Sequence, residues 1–329
     1  MQAIRLLAAG LAIGILACTS EETPTEPSVN PSLARATPGA YVAADLGTLG
    51  GRTSEARAIN PAGQVVGFSE TTDGAVHAFL WTDGVMVDLG TLEGRLSGAS
   101  AINPAGQVVG NSSMNDPSTD GCCHAFLWDK GVMTFLGTLG GSGSEAAAIN
   151  PAGQIVGHSD RPDQVPHAFL WEKGVMTDLG TLPGGTFSVA KAINPAGHVV
   201  GYGDVPGGQV HAFLWKKGTM TDLGPGSAYG INPAGQVVGG NTLWDRGIPT
   251  DLGAIVALGI NPKGEVAGFH WAPAVQTFHA ALWSEGVITE LSTLGGALGQ
   301  AFAINPVGVV VGRSQTAAGE MRATVWTRR

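Results

Sequence analysis

Five histidines recur at the start of one short pattern, and histidine is a common metal ligand and proton carrier. HAFLW occurs four times and HAALW once, with the histidines at His77, His124, His167, His211 and His279. A metal or catalytic site would need several of these side chains to converge on one point. Copies in different repeats of a regular fold lie apart, so we interpret the column as structural, with each imidazole bonded to backbone or to a neighbouring side chain.

Two more columns repeat in step with these histidines. An aspartate occupies the DLG motif in most copies, and Phe135 and Glu290 replace it in two. Seven of the eight tryptophans end the HAFLW-type segment: Trp81, Trp128, Trp171, Trp215, Trp244, Trp283 and Trp326. This regularity predicts packing between repeats for the tryptophans and turn or edge hydrogen bonding for the aspartates, rather than a catalytic set.

The columns belong to a repeat that fills the chain from residue 41 onwards. Its marker, INP, begins at Ile59, Ile102, Ile149, Ile193, Ile231, Ile260 and Ile304. Each copy resembles four short strands: one ending at AIN, a second such as QVVG after a tight NPAG turn, a third such as HAFLW, and a fourth such as VMVDLG. Four-stranded units of roughly 40 residues favour propeller blades over a β-solenoid.

The two ends of the repeat are offset against each other. The repeat region begins with a fourth-strand segment at 41–47 and ends with a third-strand segment at 322–329. A ring can use this offset, because the first strand then covers the open edge of the last blade. We therefore predict an all-β, seven-bladed β-propeller over 41–329, in which the N-terminal strand at 41–46 closes the last blade against 323–327.

The first strand of each repeat carries two columns of small residues, two positions apart. They are Ala56, Ala99, Ala146, Ala190, Ala228, Ala257 and Ala301, and Ala58, Ala101, Ala148, Ala192, Gly230, Gly259 and Ala303. Strand alternation places both columns on one face. The column between them varies: Arg57, Ser100, Ala147, Lys191, Tyr229, Leu258 and Phe302. Such variation fits either a ligand pocket or packing between blades.

The motifs DLGTLGG, AINPAGQVVG and HAFLW resemble the extracellular HAF repeat family across nearly all of 41–329. The resemblance implies an extracellular repeat protein and carries no established catalytic set. The net charge of −9 and the pI of about 5.3 argue against nucleic acid and anionic lipid surfaces as partners.

The N-terminal 18 residues have one early charge, an apolar run and small residues before a cysteine, as in an export signal. ILAC resembles a lipobox, which predicts a signal peptide at 1–18 and lipid attachment at Cys18; ordinary cleavage is the alternative. Residues 19–40, rich in Thr, Pro and Glu, predict a disordered tether. We expect an outer-membrane or cell-surface lipoprotein, or a periplasmic or secreted protein if the cysteine is not lipidated.

Function is best sought where the repeats differ. The loops between second and third strands, and those between blades, emerge on one face of a propeller, and here they vary most. The candidate ligand-binding residues in this region are Asp160, Arg161, Asp163, His270, Trp271 and Arg313. The acidic loops, including Asp116 and Asp120, lack EF-hand spacing. We therefore predict no metal site and no cofactor.

These features predict a monomeric binding module that takes a polysaccharide or a protein through its variable-loop face. The alternative is a hydrolase or lyase acting on extracellular polysaccharide, with candidates in Glu55, Glu145, Lys191 and Asp204. These residues are spread over three blades and form no recognisable motif, so we expect no enzyme. Two carboxyl groups facing each other across the channel mouth would favour the alternative.

Overall fold

A computed structural model describes residues 40–114, 123–273 and 276–329. The predicted signal peptide, the predicted lipid attachment at Cys18, nearly all of the predicted tether, and Asp116 and Asp120 lie outside these residues. The propeller belongs to a compact unit that spans Pro38–Arg329. No helix among the described residues is long and apolar enough to cross a membrane.

The described residues form twenty-eight strands in seven antiparallel sheets of four. Blade 1 contains β2 (Gly50–Ile59), β3 (Val65–Thr71), β4 (Val76–Thr82) and β5 (Val85–Asp88). Blade 2 contains β6 (Ser97–Ile102), β7 (Val108–Ser113), β8 (Cys123–Asp129) and β9 (Val132–Phe135). Blade 3 contains β10 (Ser144–Ile149), β11 (Ile155–Asp160), β12 (Pro166–Glu172) and β13 (Val175–Asp178). Blade 4 contains β14 (Ser188–Ile193), β15 (Val199–Asp204), β16 (Val210–Lys216) and β17 (Thr219–Pro225).

The remaining blades follow the same plan. Blade 5 contains β18 (Gly230–Ile231), β19 (Val237–Gly239), β20 (Thr242–Asp245) and β21 (Ile248–Asp251). Blade 6 contains β22 (Ile255–Ile260), β23 (Val266–Ala272), β24 (Thr277–Ser284) and β25 (Val287–Glu290). Blade 7 joins β26 (Gly295–Ile304), β27 (Val310–Thr316) and β28 (Met321–Arg328) to β1 (Tyr41–Asp45) from the other end of the chain. The predicted all-β, seven-bladed propeller is confirmed.

Ring closure uses the offset that the repeat pattern revealed. β1 pairs antiparallel with β28, in a register that places Tyr41 opposite Arg328 and Asp45 opposite Thr324. The Tyr41 hydroxyl donates to the Gly308 carbonyl at 3.0 Å, and the Leu46 N–H donates to the Ala323 carbonyl at 2.9 Å. The predicted closure by the N-terminal strand is therefore confirmed.

Two kinds of tight turn join the strands at the end opposite the variable loops. In the NPAG-type turns the glycine takes a positive φ, as Gly63 does at 84°. In the turns between third and fourth strands, the residue before the glycine also has a positive φ: Asp83 at 51° and Gly84 at 88°. Two consecutive positive φ angles define a type I′ turn, whose twist matches that of the flanking strands.

The hydrophobic core is divided into seven clusters, and each contains one tryptophan of the repeating column. The clusters join neighbouring blades: one brings Val66 and Ala78 of blade 1 against Val108 and Phe126 of blade 2, with Trp128 packed on it. The prediction that the tryptophans pack between blades is confirmed.

The prediction that the two small-residue columns share a face is wrong. Ala56 packs in the cluster between blades 7 and 1, whereas Ala58 packs against the cluster between blades 1 and 2. In six blades the pairing register shifts between the two columns, as it does between Ala56 and Ala58. The extra residue of this β-bulge reverses the alternation, so each column faces a different neighbouring blade.

The asparagines of the INP motifs form a closed ring around the propeller axis. Each side-chain amide donates to the backbone carbonyl of the corresponding asparagine in the next blade, at 3.2–3.5 Å: Asn60, Asn103, Asn150, Asn194, Asn232, Asn261, Asn305 and back to Asn60. Each side-chain oxygen accepts from the backbone N–H four residues later, as at Gln64. All seven are buried. One residue type thus shapes every turn and ties each blade to the next.

Candidate binding site in the central channel

A cavity of about 340 Å³ lies on the axis, on the loop side of the asparagine ring. All seven members of the variable first-strand column line it: Arg57, Ser100, Ala147, Lys191, Tyr229, Leu258 and Phe302. These residues occupy the position between the two small columns, which is the bulge position in six blades. Because of the bulge, the small residues on both sides pack in the blade interfaces, and the side chain between them points towards the axis.

One side of the cavity, formed by blades 3 and 4, carries three titratable groups. Glu145 and His158 are cross-strand partners, and Lys191 comes from the next blade. Burial lowers the pKa of His158, and nearby Glu145 only partly opposes that shift. Burial also lowers the pKa of Lys191, whose ammonium lies 5.8 Å from the Tyr202 ring centroid. The protein thus holds these two basic groups in a site that disfavours their charged forms.

The opposite side, formed by blades 7 and 1, is built on one buried carboxylate. Glu55 is 3% exposed and forms ion pairs with Arg57, at 2.5 Å, and with Arg313, at 2.7 Å. Arg313 also donates twice to Gln300. The guanidinium groups of Arg57 and Arg313 lie over the Phe302 ring, 5.1 and 5.8 Å from its centroid. These contacts fix the position of the Arg57 side chain at the cavity wall.

The six predicted ligand-binding residues lie in three separate places. Arg313 belongs to the Glu55 network behind the cavity wall, Asp160, Arg161 and Asp163 lie in blade 3, and His270 and Trp271 lie in blade 6. None of the six lines the axial cavity described above. The structure therefore does not assemble them into one site, because the loops of different blades are distributed around the rim of the ring.

In blade 3 the predicted residues form a local polar group. An Arg161 guanidinium nitrogen lies 3.4 Å from His167 Nε2, and another lies 3.9 Å from an Asp163 carboxylate oxygen. The Asp160 side chain accepts from the Ser142 hydroxyl at 3.4 Å, and burial raises the pKa of the Asp160 carboxyl. These contacts hold the loop on its own blade.

The repeated histidines pair with the repeated acidic residues. The pattern predicted a bond from each imidazole to backbone or to a neighbouring side chain, and in four blades the partner is the acidic residue of the fourth strand. His77, His167 and His211 each direct Nδ1 to an aspartate on the fourth strand, at 2.8–2.9 Å, and His279 directs it to Glu290 at 2.5 Å. The aspartates also accept from a turn N–H two residues later, as Asp88 does from Gly90 at 2.7 Å. In blade 2, where Phe135 replaces the aspartate, His124 packs edge-on against its ring at 5.0 Å.

Sequence reasoning missed one part of the cavity wall. The residue that follows the VVG-type triplet on the second strand faces the residue that precedes the first small column, as Phe68 faces Glu55 and Asn111 faces Gly98. Phe68, Asn111 and His158 occupy this position and line the cavity. In the sequence this position varies between blades, although the glycine before it is invariant, and that variation could have indicated a functional column. Of its members, only Arg313 was among the predicted ligand-binding residues.

Comparisons with known proteins agree with the fold. No protein-family profile and no curated protein sequence matches the chain. The propeller domain of the Trilobed protease from Pyrococcus furiosus, described as having an open velcro topology, is similar at a TM-score of 0.55 and 9% identity, over 84% of this chain and 96% of that one. AofleA from Arthrobotrys oligospora has a TM-score of 0.48 and 12% identity, over 91% of each chain.

TolB from Acinetobacter baumannii has a TM-score of 0.45 and 14% identity, over 84% of this chain and 54% of that one. This chain thus spans about half the length of that TolB. At these identities the comparisons concern the fold alone, and the class defined by the strand order is a seven-bladed β-propeller closed by its N-terminal strand.

Proposed function

We propose that this chain is an exported, lipid-anchored member of the extracellular HAF repeat family and that it binds its ligand in the axial cavity, from the variable-loop face. One observation carries the binding proposal: all seven side chains of the variable column between the two small columns line a single cavity. Packing between blades would favour similar residues at equivalent positions. This column instead combines two basic residues, a tyrosine, a phenylalanine, a leucine and two small residues.

The lining supports the end of a polysaccharide chain as the ligand. About 340 Å³ lies at the lower limit of ordinary ligand pockets, which suits one or two sugar rings. Phe68, Tyr229 and Phe302 offer aromatic surface to the apolar face of a sugar, and Asn111 and Glu145 offer hydrogen-bonding groups to its hydroxyls.

Binding is favoured over catalysis by the state of the acidic candidates. Glu145 is the one carboxylate among the described residues of the cavity lining. Glu55 is held by two arginines, and Asp204 accepts three hydrogen bonds from the backbone and side chain of Thr186 and the backbone of Phe187. Glycoside hydrolysis ordinarily needs two available carboxyl groups on either side of the bond.

A glycan array with the full chain tests the binding proposal. We expect wild type to retain a defined set of glycans, and Lys191→Met and Tyr229→Ala each to reduce binding at least tenfold. Lys216→Met, the same type of change at the turn end of β16, is the matched control and should bind like wild type. Equal binding by all four proteins would refute the cavity as the site.

The anchor is tested separately, in bacteria that express the full chain. Cys18→Ser should abolish labelling by a fatty-acid analogue and release the protein from the membrane fraction. Cys123→Ser, at the start of β8, is the control and should leave labelling unchanged. Continued labelling of Cys18→Ser would disprove lipid attachment at this residue.

A further inference from the structure

Blade 6 departs from the repeat at two positions whose side chains meet in space. His270 replaces the serine that follows the VVGx segment in blades 1, 2, 3 and 7, and Glu290 replaces the aspartate of the DLG motif. His270 lies opposite His279 in the pairing of β23 with β24. Glu290 Oε2 lies 3.2 Å from His270 Nε2, and its Oε1 lies 2.5 Å from His279 Nδ1. Two independent substitutions thus add a second imidazole and a longer carboxylate to one point.

The connection that precedes blade 6 explains how His270 fits. In blades 1, 2, 3 and 7 the serine at this position is buried and accepts from a leucine N–H of the preceding connection: Ser69 from Leu49, Ser112 from Leu92, Ser159 from Leu139 and Ser314 from Leu294. Only residues 252–254 separate β21 from β22, so no such segment covers blade 6. The uncovered position accommodates an imidazole.

The longer side chain of Glu290 changes which groups the carboxylate reaches. In blade 1, both carboxylate oxygens of Asp88 contact the single histidine His77, at 3.1 and 2.8 Å. In blade 6 the two oxygens of Glu290 diverge, and each contacts a different imidazole. Glu290 thus brings both imidazoles and one carboxylate to a single point, as the ligands of one ion must be.

We propose that His270, His279 and Glu290 form a binding site for a divalent transition-metal ion of the zinc class. One nitrogen of each imidazole and a carboxylate oxygen lie within 4.8 Å of one another. Zinc with ligands at about 2.0–2.1 Å places them about 3.4 Å apart in a tetrahedron. Side-chain adjustments that lengthen the 2.5 Å contact between Glu290 and His279 and shorten the widest separation would bring all three into the first coordination sphere. This inference replaces the sequence-based expectation of no metal site.

The site is open on its solvent side. The Glu290 side chain is 52% exposed, whereas those of His270 and His279 are 19% and 17% exposed. Two histidines and one carboxylate leave at least one coordination position for water or for a donor atom of a ligand. Trp271, next to His270, is half exposed and packs edge-on against Phe278 at 5.2 Å. Strand alternation directs Trp271 to the opposite face of β23 from His270. The metal site would therefore lie on the rim, separate from the axial cavity.

Calorimetric titration of the full chain with zinc chloride, after dialysis against EDTA and then metal-free buffer, tests the proposal. The decisive variant is His270→Ser, which restores the serine of the other blades. We expect it to bind one zinc equivalent fewer per chain than wild type, or to bind that equivalent at least tenfold more weakly. His279→Ala should lose the same equivalent.

His211→Ala is the matched control, because it removes the corresponding histidine from the two-residue pair in blade 4. It should bind zinc like wild type. Thermal melts in EDTA check folding of each variant, and added zinc should raise the Tm of wild type and His211→Ala more than that of His270→Ser. Identical zinc stoichiometry and affinity in wild type and His270→Ser would overturn the site, as would no detectable binding by wild type at 100 μM zinc, roughly −5.5 kcal/mol.

Discussion

At the NPAG end of the propeller, seven asparagines perform one task in seven blades, whereas at the loop end each blade has its own arrangement. The asparagines are buried, and their amides link every blade to the next. At the loop end the connections differ in length, and the same strand position holds Ser69 in one blade and His270 in another. The contacts that join all seven blades thus lie where the copies agree, and both proposed ligand sites use residues at positions where the copies differ.

Ring closure provides the largest test of this comparison, because two devices act at the same junction. The Asn305 amide reaches the Asn60 carbonyl at 3.5 Å, the longest contact in the asparagine ring, while the five residues of β1 pair with 324–328 of β28. Deleting 41–47 removes the buried Tyr41 and Leu46 and exposes the edge of β28. We expect a loss of about 4 kcal/mol or more, a fall in Tm on the order of 10 °C.

The matched control deletes seven residues at 24–30, within the predicted tether. Calorimetry should show an unchanged Tm for that variant. A similar Tm for both deletions would mean that the asparagine ring closes the propeller without the strand.

The second prediction compares the stability lost when an asparagine is replaced by alanine at each end of the propeller. Asn150→Ala leaves the N–H groups of Ala152 and Gln154 and the Asn194 carbonyl without their side-chain partner. Since the contact to the Asn194 carbonyl is buried and the two N–H contacts are partly buried, we expect a loss of roughly 2–4 kcal/mol in urea denaturation. Asn241→Ala at the loop end removes an exposed hydrogen bond to Asp251 and should cost less than about 0.5 kcal/mol. Equal losses would contradict the division of roles.

The third prediction concerns the cavity, where we expect function to oppose stability. Burial lowers the pKa of Lys191, so the native state binds fewer protons than the unfolded state as pH approaches the ordinary lysine value of 10.5. Wild-type stability should therefore rise with pH through this range. Lys191→Met removes the buried charge and should raise the free energy of unfolding at pH 7, with a smaller gain at pH 9.5.

Urea denaturation of wild type and Lys191→Met at both pH values measures this difference. Lys216→Met, at the opposite end of the strands, provides the control and should show no comparable gain. A loss of stability in Lys191→Met at pH 7 would show that its interaction with Glu145 outweighs the cost of burial.

The smallest effect is expected from a substitution that restores the histidine–aspartate pair in blade 2. Among the described residues, neither ring nitrogen of the buried His124 has a hydrogen-bond partner, because Phe135 stands in the aspartate position. Phe135→Asp should supply the missing acceptor and stabilise the fold by about 0.5 kcal/mol. Urea denaturation of wild type and Phe135→Asp measures the gain, and a loss of stability in the variant would contradict the missing-acceptor explanation.

The repeat pattern predicted most of the fold because each strand, turn and column recurs at a fixed place in the chain. The conformation of the NPAG turns and the offset between the first and last strand segments of the repeat depend on local sequence. Both could therefore be predicted directly from it. The bulge could not, because it arises from the pairing of the first strand with the second. As a result, the sequence revealed the variable column, but not that its side chains point towards the axis while both small columns point into the blade interfaces.

The predicted rim residues show the same limit of sequence reasoning, because proximity in the chain does not predict which distant residues meet. Arg161 and Asp163 were grouped because they are neighbours in sequence, and the structure keeps them in one blade. Glu290 was recognised only as a variant of the aspartate column, since 20 residues separate it from His270. Their contact depends on three adjacent strands of one sheet and on a short connection that leaves the position uncovered.

By itself the sequence determined the number of blades, the four strands in each and the closure by residues near the N-terminus, because these follow from periodicity and from where the periodic pattern is cut. Only the tertiary structure decided which side chains meet. Arg57, Lys191 and Tyr229 line one cavity only because the first strands of all seven blades surround one axis. His270, His279 and Glu290 come together only because β23, β24 and β25 are neighbours in one sheet. Both sites depend on distances across strands and blades, which no spacing along the chain specifies.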